Sequence, residues 1–209
     1  MLVLPGTRLI EAGIHDDGEM AALLEGQDAV VNLAAILQGR AGRYELDGQR
    51  FDVGPDFGQV HLGVADRLVR LARPGTRLIH VSALGAGAAT ATTLPSRYLR
   101  SKAIAENMIR GSTLDWTIVR PSVVFGERDK LLNTFSAMQT WLPALAMPRT
   151  GARFQPVWVD DLASGLAGCL IDRRRVQTSR QILDAIGPAT FTLRQLVAVA
   201  GDLAGHRRP

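Results

Sequence analysis

An α/β fold built on a doubly wound, mostly parallel sheet is the class this sequence predicts, on three observations. Short, continuous apolar runs alternate with stretches of helical period along the whole chain. The runs are rich in Val, Ile and Leu without polar alternation, as strands buried on both faces are. The chain has 209 residues, 46% of them apolar, which is enough for one large domain or one domain with a small lobe.

Residues 7–12 read as a short strand and 18–25 as a short helix. Residues 28–35, apolar between Gly26 and Gln38, predict a buried strand. Residues 37–57 are rich in Gly, Arg and Asp without period and predict a long loop. Val60, Val64, Leu68 and Leu71 keep a helical spacing that Pro74-Gly75 stops. A strand over 76–82 follows, then a small-residue loop over 85–95 with the character of a lid, then a helix over 96–110. Residues 114–126 read as a strand, a loop and a turn.

Past Gly126 the texture shifts. Leu131, Leu132, Phe135, Met138, Leu142 and Leu145 form a helical stripe interrupted by Pro143, either core or a docking face for a partner or a membrane surface. A strand over 153–159, a helix over 160–171, a strand over 180–186 and a helix over 192–203 complete the chain, with Thr190 or Thr192 at the last N-cap. The domain reading is a nucleotide-binding part over 1–126 and a small substrate or partner lobe over 127–209, interleaved with the last strands as one unit.

Composition excludes several classes. The single cysteine, Cys169, rules out an internal disulfide framework and fits a buried helical position. No run approaches the roughly 18 apolar residues of a membrane span. The N-terminus carries no signal-peptide pattern. The net charge of +4 comes from 22 Arg and 2 Lys spread along the chain; only Arg173-Arg174-Arg175 is a run, and no aromatic interleaves with it. No nucleic-acid partner is expected. The four histidines, at 15, 61, 80 and 206, have no ligand spacing, so no metal is expected. Asp160-Asp161 fit a helix N-cap and first turn better than a metal pair.

The chemistry sits at Tyr98-Leu99-Arg100-Ser101-Lys102. A Tyr and a Lys four apart share one face of a helix. An ammonium nearby favours the phenolate and draws a tyrosine towards proton exchange at neutral pH. Upstream, Ser82 ends the apolar run Leu78-Ile79-His80-Val81.

Ser82, then Tyr-x-x-x-Lys, then Leu114-Asp115-Trp116-Thr117-Ile118-Val119-Arg120-Pro121 to Gly126 resembles the extended or atypical short-chain dehydrogenase/reductases, the epimerase/dehydratase-like branch. Residues 28–35, 114–126 and 154–161 are similar to the nucleotide-binding accessory subunit of respiratory complex I and its bacterial relatives. The likeness covers nearly the whole chain. It implies a Rossmann-like sheet and NAD or NADP as cofactor. It also implies roles: Tyr98 exchanges a proton at a substrate hydroxyl or carbonyl, Lys102 binds the nicotinamide ribose and lowers the Tyr98 pKa, and Ser82 bonds the substrate oxygen. Ile14, Asn32 and Ala34 lie near the cofactor in this reading, Pro121, Ser122 and Val124 flank the nicotinamide, and His61 supports the active-site helix.

Two departures from that pattern matter. No G-x-G-x-x-G stands in the first strand–helix unit, so the chain lacks the family's first strand–Gly loop–helix–strand unit. Backbone amides of that loop hold the pyrophosphate, and losing two charged hydrogen bonds weakens binding about 10²- to 10⁴-fold. Gly13 stands where an acid often approaches the adenine, leaving Asp16 as a partial substitute. Residues 28–35 then present an apolar edge, with three expected outcomes: 7–12 slides across to pair with it, two chains pair there, or the natural protein is longer.

The functional expectations are three. One is an NAD(P)-dependent oxidoreductase or epimerase acting on a small or isoprenoid-like alcohol or ketone. The second is a non-catalytic nucleotide-binding subunit or assembly factor of respiratory complex I, touching the complex or the membrane surface through 131–145. The third is a truncated inactive remnant. A cytoplasmic location, peripheral to the inner membrane, goes with the first two.

Overall fold

The computed structural model describes residues 6–87, 93–129, 131–141, 151–171, 176–203 and 205. The chain divides into two compact units, one of residues 1–118 with 179–181, the other of 119–178 with 182–209. The central sheet is mostly parallel, in the order β1 (Ala29–Asn32), β4 (Arg77–Val81), β5 (Asp115–Pro121), β9 (Gln181–Ala185).

β1 pairs with β4 in parallel, Ala29 opposite Arg77 and Asn32 opposite His80. β1 is the edge, as expected for 28–35, yet it is not the buried strand its apolar run predicts. Only Asn32 in it is buried, and Leu33 just beyond is 63% exposed. A strand with one neighbour has nothing to cover its outer side. Residues 7–12 form no strand and do not slide onto this edge; Leu9 and Ile10 are exposed. Strand propensity without a ladder partner leaves the backbone irregular. Helix α1 (Asp17–Leu24) follows, its N-terminus closed by Asp16, whose Oδ1 accepts from the Glu19 amide at 2.9 Å.

The expected loop over 37–57 is structured instead. Tyr44–Leu46 (β2) and Gln49–Phe51 (β3) form an antiparallel hairpin turned at Asp47-Gly48, both at positive φ (48° and 75°). Asp-Gly between two short apolar-flanked runs is the signature of that turn, and it is visible in the sequence. A one-turn helix, α2 (Pro55–Phe57), leads into a π-helical segment (Gly58–Gly63) and then α3 (Val64–Leu71). The hairpin lies directly on the π segment: a Cβ on Gly58 would sit 2.0 Å from Cγ of Tyr44.

Helix α4 (Arg97–Arg110) is capped by Ser96, whose Oγ accepts from the Leu99 amide at 3.2 Å. The described ends of the expected lid, Ala86 and Leu94, are buried against Ala103 of α4; residues 88–92 lie outside the described residues. Leu62, Leu78, Ile79, Ile109, Leu114 and Ile118 fill the first unit's core. Arg77, fully buried, crosses from β4 to the Asp115 carboxylate at 3.1 Å and to the Thr117 hydroxyl at 2.5 Å.

In the second unit β6 (Val124–Phe125) pairs in parallel with β8 (Val157–Trp158), and β7 (Arg153–Phe154) pairs antiparallel with β10 (Phe191–Thr192). Helix α5 (Leu131–Trp141) packs on α7 (Leu193–Leu203), where Gln139 Nε2 donates to the Val197 carbonyl at 2.9 Å. The expected stripe on α5 is half-buried, with Met138 exposed; Leu142, Pro143 and Leu145 lie outside the described residues, as does the arginine run. Helix α6 (Val159–Gly168) starts one residue before Asp160, so its N-cap is Trp158 and both acids sit in the first turn. Cys169 is buried at its end. Thr192 caps α7, its Oγ1 accepting from the Gln195 amide at 3.2 Å.

Gly58→Ala should destabilise the chain by about 1–3 kcal/mol, because the added methyl overlaps the Tyr44 ring. In a Tyr44→Ala background the same change should cost little. Urea midpoints of the four proteins check this, and an equal loss in both backgrounds would discard the clash as the cause.

Candidate functional site

The candidate residues of the first unit converge where the C-terminal end of the sheet meets α4. Side chains alternate along a strand, so His80 and Ser82 leave the β4 segment on one side. On α4 the helical period stacks Tyr98, Lys102 and Glu106, four residues apart, in one row, with Ser101 beside them.

Lys102 is the centre of the arrangement. It is 1% exposed, and its Nζ donates to the Val81 carbonyl at 3.1 Å. Burial pulls its pKa from 10.5 to about 8, against the opposing pull of the Glu106 carboxylate. Glu106 is 2% exposed and accepts the Ser82 hydroxyl proton at Oε1, 2.5 Å away.

Both histidines nearby are neutral, and their tautomers follow from their partners. The Ser101 hydroxyl donates to the Tyr98 carbonyl at 2.8 Å, so the 2.7 Å contact between His61 Nδ1 and Ser101 Oγ carries the imidazole proton. His61 Nε2 is then free to accept from the Ile36 amide, at 3.1 Å. Burial, then the charge on Lys102, hold its pKa near 3. His61 therefore ties the chain leaving β1 to helix α4, the supporting role expected of it. The π segment aims it there.

Asn32 accepts from the Ala34 amide at 3.0 Å through Oδ1, so its Nδ2 donates to His80 Nδ1, also at 3.0 Å. His80 thus carries its proton on Nε2, which is buried without a partner among the described residues. Its pKa is near 3 through burial, then the charges of Lys102 and His61.

Tyr98 departs from expectation. Its ring packs edge-on against Phe57 and His61, at centroid distances of 6.3 and 5.7 Å. Burial raises its pKa above the ordinary 10, and no opposing influence of Lys102 offsets it. The expected lowering by Lys102 is therefore corrected: a carbonyl holds the ammonium, and the phenol sits among rings. Ser82 is likewise turned inward, its single proton given to Glu106.

The remaining expected residues are dispersed. Ile14 is half-buried in a turn before α1, closed by the Asp16 amide on the Gly13 carbonyl at 2.8 Å. Asp16 serves α1 as its cap. Pro121, Ser122 and Val124 belong to the second unit: Pro121 ends β5, the Ser122 amide donates to the Ala185 carbonyl at 3.0 Å, and Val124 pairs with Val157. Three further members of the network, His80, Ser101 and Glu106, carry no motif of their own. Periodicity alone marks them, His80 two residues before Ser82 and Glu106 four beyond Lys102.

Residues 3–137 match the NAD(P)H-binding family. The chain belongs to that family. The subunit 9 of the NADH dehydrogenase [ubiquinone] 1 alpha subcomplex, mitochondrial, of Dictyostelium discoideum is 30% identical over 180 residues, 86% of this chain and 45% of that protein. Its Rattus norvegicus counterpart is 34% identical over 162 residues, 76% of this chain and 38% of that protein. The chain thus spans less than half the length of these relatives. Two solved structures share the fold. One is a dTDP-glucose 4,6-dehydratase of Streptomyces venezuelae (TM-score 0.70, 22% identity, 96% of this chain and 65% of that one). The other is a UDP-glucose 4-epimerase of Thermotoga maritima (TM-score 0.71, 16% identity, 96% and 69%).

The residues of this NAD(P)H-binding domain fit the ribose end of such a dinucleotide. Two N–H bonds of the buried Lys102 ammonium have no acceptor among the described residues, which suits a vicinal diol. The pyrophosphate end finds no counterpart on α1. Asp16 fills its N-terminus, and Asp17 and Glu19 make its first turn acidic.

Lys102 binds fewer protons folded than unfolded between pH 8 and 10.5, so its contribution to stability rises with pH across that window. The gain approaches about 3 kcal/mol for a shift from 10.5 to about 8. Chemical denaturation from pH 8 to 10 should show this rise in the natural chain and not in Lys102→Met. A rise of equal size in both proteins would rule Lys102 out as its source.

Proposed function

We propose that this NAD(P)H-binding domain holds a dinucleotide as a structural element of a respiratory NADH dehydrogenase assembly, without turning it over. The observation that carries the reading is the state of Ser82 and Tyr98. Proton exchange with a substrate oxygen calls for a donor that is free and a phenol that ionises readily. Ser82 spends its proton on Glu106, and Tyr98 is held above its ordinary pKa. A phenol of pKa 10 is ionised in about one molecule per thousand at pH 7, and this one less often still.

Holding makes smaller demands. Lys102 supplies two N–H donors that have no acceptor among the described residues, while its third is anchored on the Val81 carbonyl. His61 and Ser101 keep α4 against the chain leaving β1, so the donors stay where the sheet ends. Asn32 fixes the turn at Ala34 in the same place. The names of the relatives, subunits of NADH dehydrogenase [ubiquinone], support an assembly as the setting. The location that goes with it is the surface of the membrane that carries the assembly. No described helix is long and apolar enough to cross a membrane.

The second reading, an oxidoreductase or epimerase, is favoured by one observation, the Tyr98–Lys102 spacing on α4. When bound, the dinucleotide supplies hydride chemistry. Tyr98 would then pass a proton to or from a substrate oxygen, and Ser82 would have to leave Glu106 to bond it.

Titration of NADPH fluorescence separates the readings. Lys102→Met should weaken NADPH binding at least about tenfold, the effect of one charged hydrogen bond, whereas Tyr98→Phe should leave it within about twofold. Unchanged binding in Lys102→Met would sink the proposed holding role. Reduction of any ketone by the natural chain that Tyr98→Phe abolishes would establish the second reading instead.

A further inference from the structure

Apart from the polar network, the first unit carries a cleft of about 560 Å³. Two chemistries line it. Its apolar lining is Leu37, 70% exposed, the buried Phe57 and Tyr98. An exposed leucine beside two aromatic rings leaves apolar surface open to water at the mouth of a concave site. Its cationic lining is Arg97 and Arg100.

The two guanidiniums share one carboxylate, and loosely. Asp52 lies 3.4 Å from Arg100 Nη2 and 4.0 Å from Arg97 Nε. One negative charge for two positive ones leaves the rim cationic. Arg100 is held in place by Nη1 donating to the Leu94 carbonyl at 3.1 Å, while its Nε is buried without a partner among the described residues. The other ion pair close by, Arg40 with Asp56, is closed by bonds from Nε and Nη2 and adds no net charge. Both arginines stand in the first turn of α4, where the helix dipole also favours an anion.

We propose that this cleft binds a small amphiphilic anion, a carboxylate or monophosphate on an apolar body. The head group takes the place of Asp52 against Arg97 and Arg100, and the body lies over Leu37, Phe57 and Tyr98. The apolar side alone would accept a neutral chain, and the arginines alone a bare ion; together they select a molecule with both parts. The cleft shares Tyr98 with the second reading above and does not include Lys102, and its test contains no dinucleotide, so each proposal stands or falls by itself.

The test is isothermal titration of the chain with decanoate, decyl phosphate, decanol, acetate and inorganic phosphate, each below its micellar concentration. Decanoate or decyl phosphate should bind one to one, at least about tenfold tighter than decanol or the bare ions, and the tighter of the two names the head group. Arg97→Gln with Arg100→Gln should bring both decyl anions down to the level of decanol. Arg97→Gln alone, at a side chain 42% exposed and safe for folding, should weaken them about threefold or more. Leu37→Ser should weaken the decyl anions about threefold and leave acetate unaffected. Decanol binding as tightly as decanoate would overturn the proposal, since the cleft would then be merely apolar. So would bare phosphate or acetate matching the decyl anions, or no saturable binding at all.

Discussion

The first unit is organised around one buried ammonium. Taking a charge such as that of Lys102 out of water costs several kcal/mol, and the protein must offset this with acceptors and opposite charge. The Val81 carbonyl provides the first and Glu106 the second. Burial first, and then the same charge, keep His61 and His80 neutral, since a second cation beside a buried one is unfavourable. Neutral imidazoles can both donate and accept, and this is what lets His61 link an amide on one element to a hydroxyl on another. A surface lysine would impose none of these conditions.

Glycine decides how the covering hairpin meets this network. Tyr44 rests where a side chain on Gly58 would be, so β2 and β3 approach the π segment more closely than any other residue there would permit. Phe57 and Leu62, on either side of that contact, are buried with Val53 and pack against Tyr98 of α4. The aromatic surroundings of Tyr98 therefore come from the hairpin and the π segment. They keep its hydroxyl protonated, the reverse of what its spacing from Lys102 implies in isolation.

Family membership and chemistry part company at this point. The match over residues 3–137 and the shared fold place the chain among NAD(P)H-binding proteins. What a site does depends on where its protons lie. An inward-facing Ser82 and a deeply set Tyr98 are the observations from which the holding role is proposed. The proposed anion cleft draws on the same helix through Arg97 and Arg100, which belong to no motif.

Periodicity and turn chemistry by themselves determined most of the elements. The apolar runs at 76–82 and 114–121, the helical spacing of 58–71 and 96–110, and the caps at Ser96 and Thr192 are local features, and local interactions suffice to form them. The Tyr98–Lys102 spacing and the ending of β4 at Ser82 are legible for the same reason. What the tertiary structure alone decided is everything that depends on a neighbour distant in sequence. Residues 7–12 have strand-like composition yet pair with no strand, and β1 is apolar yet exposed because only β4 flanks it. Burial raises the pKa of Tyr98, whose ring packs against Phe57 and His61, and Glu106, 24 residues away, takes the proton of Ser82. Burial and hydrogen bonding are properties of the assembled environment, so the spacing that brings a Tyr and a Lys to one helix face does not reveal whether that face is poised to react.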